Sequence, residues 1–178
     1  KFRNLENLVL PEPKITEVPQ YWLDMMKFFI DETEGGIPIH VTDMQGPLDA
    51  AGVLFNYDDF MVLAYEDEER FKSLLDSITQ AFILFFREQE ALLGDLCVPT
   101  HLMSWDYVPP HYCASMSIDS LVMLSPFFYE RYVKETIEKI SDEFHRIIVH
   151  SCGDWKHMIK SVCDTRGVIG VNASQMDL

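Results

Sequence analysis

The sequence predicts an α/β fold of parallel strands with flanking helices. Short apolar segments alternate with helix-period segments along most of the chain, the pattern of a parallel sheet with right-handed crossovers. Polar residues recur just after the apolar segments: Asp43, Asp106 or Asp119, His150 with Cys152, and Asn172. In a barrel these would collect on one rim. With 178 residues, 48% of them hydrophobic, the chain is long enough for one sizeable core.

Taken in order, residues 1–16 carry Pro11 and Pro13 without a clear period and read as an arm. Pro19 suits a first helical turn. Tyr21, Trp22, Met25, Met26, Phe28 and Phe29 follow at helical spacing, a stripe expected to face the core, until Gly35-Gly36. The segment from Ile37 to Asp43 reads as a short buried strand, with a helical start at Leu48 and a break at Asn56, Asp58 and Asp59. Asp67 is placed to cap a long helix over about 68–93, ended by Gly94. Leu96-Cys97-Val98 reads as a strand, and residues 101–112, with His101, Trp105, Pro109, Pro110 and His111, as a long rigidified loop. Cys113 to Ile118 is the next strand, with Asp119 at its end. Ser125-Pro126 opens another helix with Ser at the N-cap and Pro at N1.

The most informative stretch is Ile147-Ile-Val-His150-Ser-Cys152-Gly153. Side chains two apart on a strand share a face, so His150 and Cys152 point the same way at the end of a β-branched run. That spacing fits two of the N/S ligands of a zinc site. It equally fits a buried thiol beside a histidine bonded to backbone. His111-Tyr-Cys113 repeats the spacing, but at the beginning of its strand, on the opposite side of a parallel sheet. His40, His145 and His157 lie within or beside apolar elements and read as structural. A helix over 155–165 and a strand over 167–172 complete the pattern, with Cys163 expected in the core.

Composition narrows the partners. Fourteen Lys and Arg against 29 Asp and Glu give a net charge of −15, which leaves no basic excess for nucleic acid or an anionic membrane. Four cysteines at irregular spacing do not form a disulfide framework, so a reducing, cytoplasmic setting is expected. No apolar run approaches the ~20 residues of a membrane span. Neither a dinucleotide-binding glycine fingerprint nor a phosphate-binding loop occurs.

Several of these segments, in this order, resemble the uroporphyrinogen decarboxylase superfamily. They are Gln45-Gly-Pro-Leu-Asp-Ala-Ala51, Asp67 through Gly94, Ser117-Ile-Asp119, Leu124 through Glu130, Ile148 through Gly153, and Gly167 through Asn172. The likeness is greatest to the branch of zinc-dependent methylcobamide:thiol methyltransferases, and it runs over most of residues 37–178. It implies a partial (β/α)₈ TIM barrel over 37–178, lacking the family's first and last strands and preceded by an arm and helix over 1–36. It also implies zinc held by His150 and Cys152, with a third ligand, a cysteine, beyond Leu178. On this reading Asp119 and Asp43 are candidate catalytic carboxylates, Asp119 also as a partner for His150. Gln45 and Asn172 are candidate cofactor-binding residues. The implied partners are a corrinoid protein or small methyl donor and a thiol acceptor. A second copy is expected to cover the open barrel edges. A decarboxylase-like lyase and an inactive half-barrel serving as an interaction module are the alternatives. Against the lyase, the family's arginine-rich motif is absent, and Val53 stands near its pocket tyrosine.

Overall fold

The computed structural model describes Leu5, residues 8–100, 108–173 and 175–176. His101, Trp105 and Asp106 of the expected loop lie outside the described residues. Helix α1 (Glu17–Glu32) leads into β1 (Ile39–His40), then α2 (Pro47–Leu54), α3 (Tyr57–Glu66) and α4 (Glu68–Leu93). Strands β2 (Cys97–Val98) and β3 (Ala114–Ser117) follow. The helical run α5 (Pro126–Phe128) and α6 (Lys134–Phe144) is joined through a π turn at Tyr129–Val133. Strand β4 (Ile147–Ser151), helix α7 (Ile159–Cys163) and strand β5 (Val168–Ala173) complete the order.

The strands are all parallel but lie in two small sheets, β1–β2 and β3–β4–β5, rather than one continuous sheet. A single bridge, Gln45 to Ser117, links the end of the β1 segment to β3. The strand expected over 37–43 is cut to two residues. Val41 N–H still donates to Val98, but the next amide, Thr42, is taken by the Gln89 side chain of α4 at 2.7 Å. Successive amides of a strand point to opposite sides, so Gln89 satisfies the Thr42 amide on the side away from β2.

The caps explain several boundaries. Asp67 accepts from Arg70 N–H, and Gly94, at φ +51°, ends α4 in a conformation that disfavours residues with a Cβ. Ser125 accepts from Phe128 N–H, as expected of an N-cap before proline. The break at Asn56 is itself a cap. Its side chain accepts from Asp58 and Asp59 amides, and it starts α3, a helix the sequence reading passed over.

The core runs between α4, α6 and the strands, with Phe60, Phe71, Phe86, Met116, Ile137 and Val149 fully buried. The α1 stripe does not face it as expected. Leu23 and Met26 are buried, but Tyr21 is 60% exposed and Phe28 56% exposed. Helix α1 packs against α4, and much of the rest of its apolar surface stands over a cleft or faces outward. Cys163 is exposed as well, at the end of a helix shorter than the one expected. The segment 155–165 opens as a 3₁₀ turn (Lys156–Met158) and reaches α-geometry only from Ile159. No helix among the described residues is long and apolar enough to cross a membrane.

Candidate metal centre

Three adjacent parallel strands deliver the site. In register, Ser117 of β3 stands beside His150 of β4, and His150 stands beside Asn172 of β5. The second pairing depends on an irregularity. Ile147 pairs with Val168, which in uniform register would set His150 opposite Val171. A shift of one residue between Ile147 and Ile148 brings Asn172 there instead. A β-bulge of this kind re-aims every side chain beyond it.

The result is a polar pair. His150 is 3% exposed, and its Nδ1 lies 2.8 Å from Asn172 Oδ1. An amide oxygen can only accept, so Nδ1–H donates to it, which turns Nε2 toward Cys152. That nitrogen lies 3.3 Å from Cys152 Sγ. Cys152 is half-buried, and its backbone N–H donates to Asp119 Oδ1 at 2.9 Å. Ligand atoms of Asp119, His150 and Cys152 all fall within 4.8 Å of one another. Among the described residues no other group of this kind forms.

The turn beyond Cys152 is tight. Gly153 has φ +79°, and a Cβ there would come within 2.8 Å of Val122 Cγ1, so glycine is required on both counts. Gly153 N–H donates to Gln175, and the buried Trp155 indole donates to the Ser151 carbonyl at 3.1 Å. The turn is therefore fixed from both sides.

Asp119 is braced in turn by a residue the sequence reading quoted without a role. The Asp49 carboxylate accepts from the backbone amides of both Asp119 and Ser120, the latter at 3.2 Å. Burial pushes the Asp49 carboxyl above the usual carboxylate range, against the hydrogen bonds that pull it down. Its only signal in the sequence is position: it is the third residue of a helix that starts Gly-Pro.

The remaining candidates sit elsewhere. Asp43 is exposed and accepts from Ser117 Oγ at 3.0 Å. Gln45 is held through its backbone bridge to Ser117. Neither belongs to the group formed by His150, Cys152 and Asp119. Asp43 instead lines a cleft of about 900 Å³ between α1 and the β1 segment, with Trp22, Met25, Phe29, His40 and Phe85. None of the three clustered donors lines that cleft. His111 and Cys113 lie beyond the opposite end of the β3–β4 pairing, which begins at Ala114 and Ile147. His111 is exposed, 3.7 Å from Glu90. Burial pushes the Cys113 and Cys97 thiols up to about 12. His40 and His157 each place a ring nitrogen against a backbone carbonyl, at 2.6 and 2.9 Å.

No protein-family model matches the chain, and no curated protein matches it by sequence. Among solved structures, a methyltransferase from Methanosarcina mazei is similar in fold, with a TM-score of 0.64 and 18% identity. The similarity covers 84% of this chain and 40% of that one. At that identity it establishes the arrangement of the backbone alone. The chain thus carries an α/β fold of parallel strands and flanking helices, shared with two fifths of a larger methyltransferase structure.

Proposed function

We propose that the chain is part of a (β/α)₈ barrel of the uroporphyrinogen decarboxylase superfamily. Within it, the nearest branch is the zinc-dependent corrinoid methyltransferases. The observation that carries this is the convergence of an imidazole nitrogen, a thiol sulfur and a carboxylate within 4.8 Å at the ends of neighbouring parallel strands. Three protein donors of N, S and O type leave one position of a tetrahedral zinc open, as catalytic zinc requires. Around zinc, ligand N and S atoms stand ~3.6 Å apart, close to the 3.3 Å between His150 and Cys152. The donor set fits the metal.

His150 would hold zinc through Nε2, Cys152 through its thiolate and Asp119 through a carboxylate oxygen. Asn172 would hold the imidazole through Nδ1, so that Nε2 is the nitrogen turned to the metal position. Zinc so held supplies a cation that keeps an acceptor thiol as its thiolate near neutral pH. The reaction consumes a thiol and a methylated corrinoid. Sulfur gains the methyl group, the carbon–cobalt electron pair stays on cobalt, and the thiol proton goes to solvent. Asp119 would supply the third donor in place of the distant cysteine that the resemblance implies. The reading also takes the exposed apolar residues near β1 and on β5, Trp22, Ile37, Ile169 and Val171, as surfaces covered by a second copy.

The test is zinc per chain in protein purified without a metal-affinity step, alongside Cys152→Ser, followed by methylcobalamin with a small thiol. Near-stoichiometric zinc in the parent, affinity at least ~10-fold weaker in the variant, and thioether formation dependent on zinc are expected. A parent that binds no more zinc than Cys152→Ser sinks the reading.

A further inference from the structure

We infer that Asp49 is a positioning residue for the candidate metal centre, acting through Asp119 from the start of a different helix. The inference rests on the metal-site reading for its consequence, but its geometry stands without a metal. Asp49 is the third residue of α2, whose Gly46-Pro47 start is tied to β3 by Gly46 N–H donating to Ser117. A Cβ at Gly46 would lie 3.1 Å from both the Ser117 carbonyl and Ile118 Cγ1, tighter than an ordinary contact. The helix start is therefore pressed onto the strand end. From there Asp49 accepts from the amides of Asp119 and Ser120.

A carboxylate that receives two successive amides fixes the turn that carries them. That turn aims the Asp119 side chain, and Asp119 Oδ1 accepts from the Cys152 amide at 2.9 Å. Asp49, Asp119 and Cys152 thus form one chain of hydrogen bonds running from α2 through the end of β3 to the end of β4. A carboxylate facing another across one turn adds repulsion, and Asp119 is among the groups that push the Asp49 carboxyl up. A neutral acceptor of the same shape would avoid that cost. Asp119 keeps a second oxygen for another partner. Asp49 would not touch the metal or the substrate.

The experiment compares parent, Asp49→Ala, Asp49→Asn, Asp119→Ala and the Asp49→Ala/Asp119→Ala pair. The first readout needs no metal: hydrogen exchange at the Cys152 amide. The second is zinc affinity by chelator competition, with Co²⁺ spectra reporting the ligand set. Asp49→Ala is expected to speed Cys152 exchange at least tenfold and to weaken zinc roughly 10-fold or more. Asp49→Asn, which keeps an acceptor oxygen, restores most of both. In the double variant, zinc affinity equals that of Asp119→Ala alone, because Asp49 acts only through Asp119. Unchanged Cys152 exchange in Asp49→Ala, or independent losses in the double variant, overturns the inference. Should Asp49→Ala not fold, Asp49→Asn is decisive: retaining under half of the parent's exchange protection refutes the account of a shared acceptor. A parent that binds no zinc but loses Cys152 protection in Asp49→Ala defeats the metal reading and leaves the brace standing.

Discussion

Replacing Asn172 with alanine separates an orienting role from a structural one. The substitution removes the acceptor 2.8 Å from His150 Nδ1. His150 is almost fully buried, and an unpaired buried donor costs about 1–3 kcal/mol. Asn172 is only half-buried, however, so water can reach the vacated position and hold the loss near the lower limit. For a chain of this size about 1 kcal/mol lowers Tm by roughly 2–4 °C. Water satisfies the N–H without fixing the ring. Zinc affinity should therefore fall much further in proportion, ~10- to 100-fold, or about 1.4–2.8 kcal/mol. Asn172→Asp keeps an acceptor oxygen in place and should recover most of that loss. Calorimetry of the metal-free protein gives the first number and chelator competition the second. Zinc affinity in Asn172→Ala within twofold of the parent would refute the argument. So would an Asn172→Asp variant as weak as Asn172→Ala.

Three further outcomes are expected. With iodoacetamide at neutral pH, the exposed Cys163 should label first and Cys152 next, with Cys97 and Cys113 protected until unfolding; zinc should shield Cys152, and equal labelling with and without zinc contradicts the site. Burial raises Cys97 and Cys113 to about 12, above the ~8.5 of an unfolded thiol, so the stability they give is present below pH ~8.5 and is lost as pH rises toward 12. Urea midpoints at pH 8 and 10.5 should drop more steeply for the parent than for Cys97→Ala, and identical slopes would show that burial of this thiol is not the cause. Sedimentation velocity should find self-association that weakens in Trp22→Glu and Ile169→Lys, whose parent side chains are 42% and 46% exposed; a monomer at every concentration tested removes the second copy.

Local signals in the sequence were strong where a side chain meets its own backbone. Asp67 and Gly94 bracket α4 as read, and Ser125-Pro126 opens the next helical run, because caps and glycine conformations act over a few residues. Such signals misled at Asn56, where a capping residue was read as a break. Long-range effects were illegible. Nothing near Thr42 shows that Gln89, on another helix, will take its amide. The helical spacing in α1 predicted an apolar stripe correctly but not that much of it would face outward, since periodicity gives a face and not its partner. At the site, the His-x-Cys spacing marked two donors. Asp119 was named for its place after a strand, but the brace from Asp49 depends on α2 meeting the end of β3. That meeting is a tertiary fact.

The bulge in β5 shows why spacing alone cannot select a partner for His150. In uniform register a valine would stand beside the imidazole, and the buried ring nitrogen would face a side chain without an acceptor. One residue of slip replaces that valine with Asn172. The strand that carries the slip contains Gly170, whose missing side chain lowers the cost of irregular pairing. Three strands joined by two ladders then converge on one point: Asp119 follows β3, His150 lies near the end of β4 with Cys152 just beyond it, and Asn172 lies near the end of β5. Each contributes a different group, and His150 and Cys152, two residues apart in sequence, are held further by the strands on either side. Asn172 sets the ring, and Asp119 ties down the Cys152 backbone. A site built this way draws its rigidity from pairing between strands. The positions of His150, Cys152 and Asp119 are therefore set by three neighbouring strands and the helix start behind them.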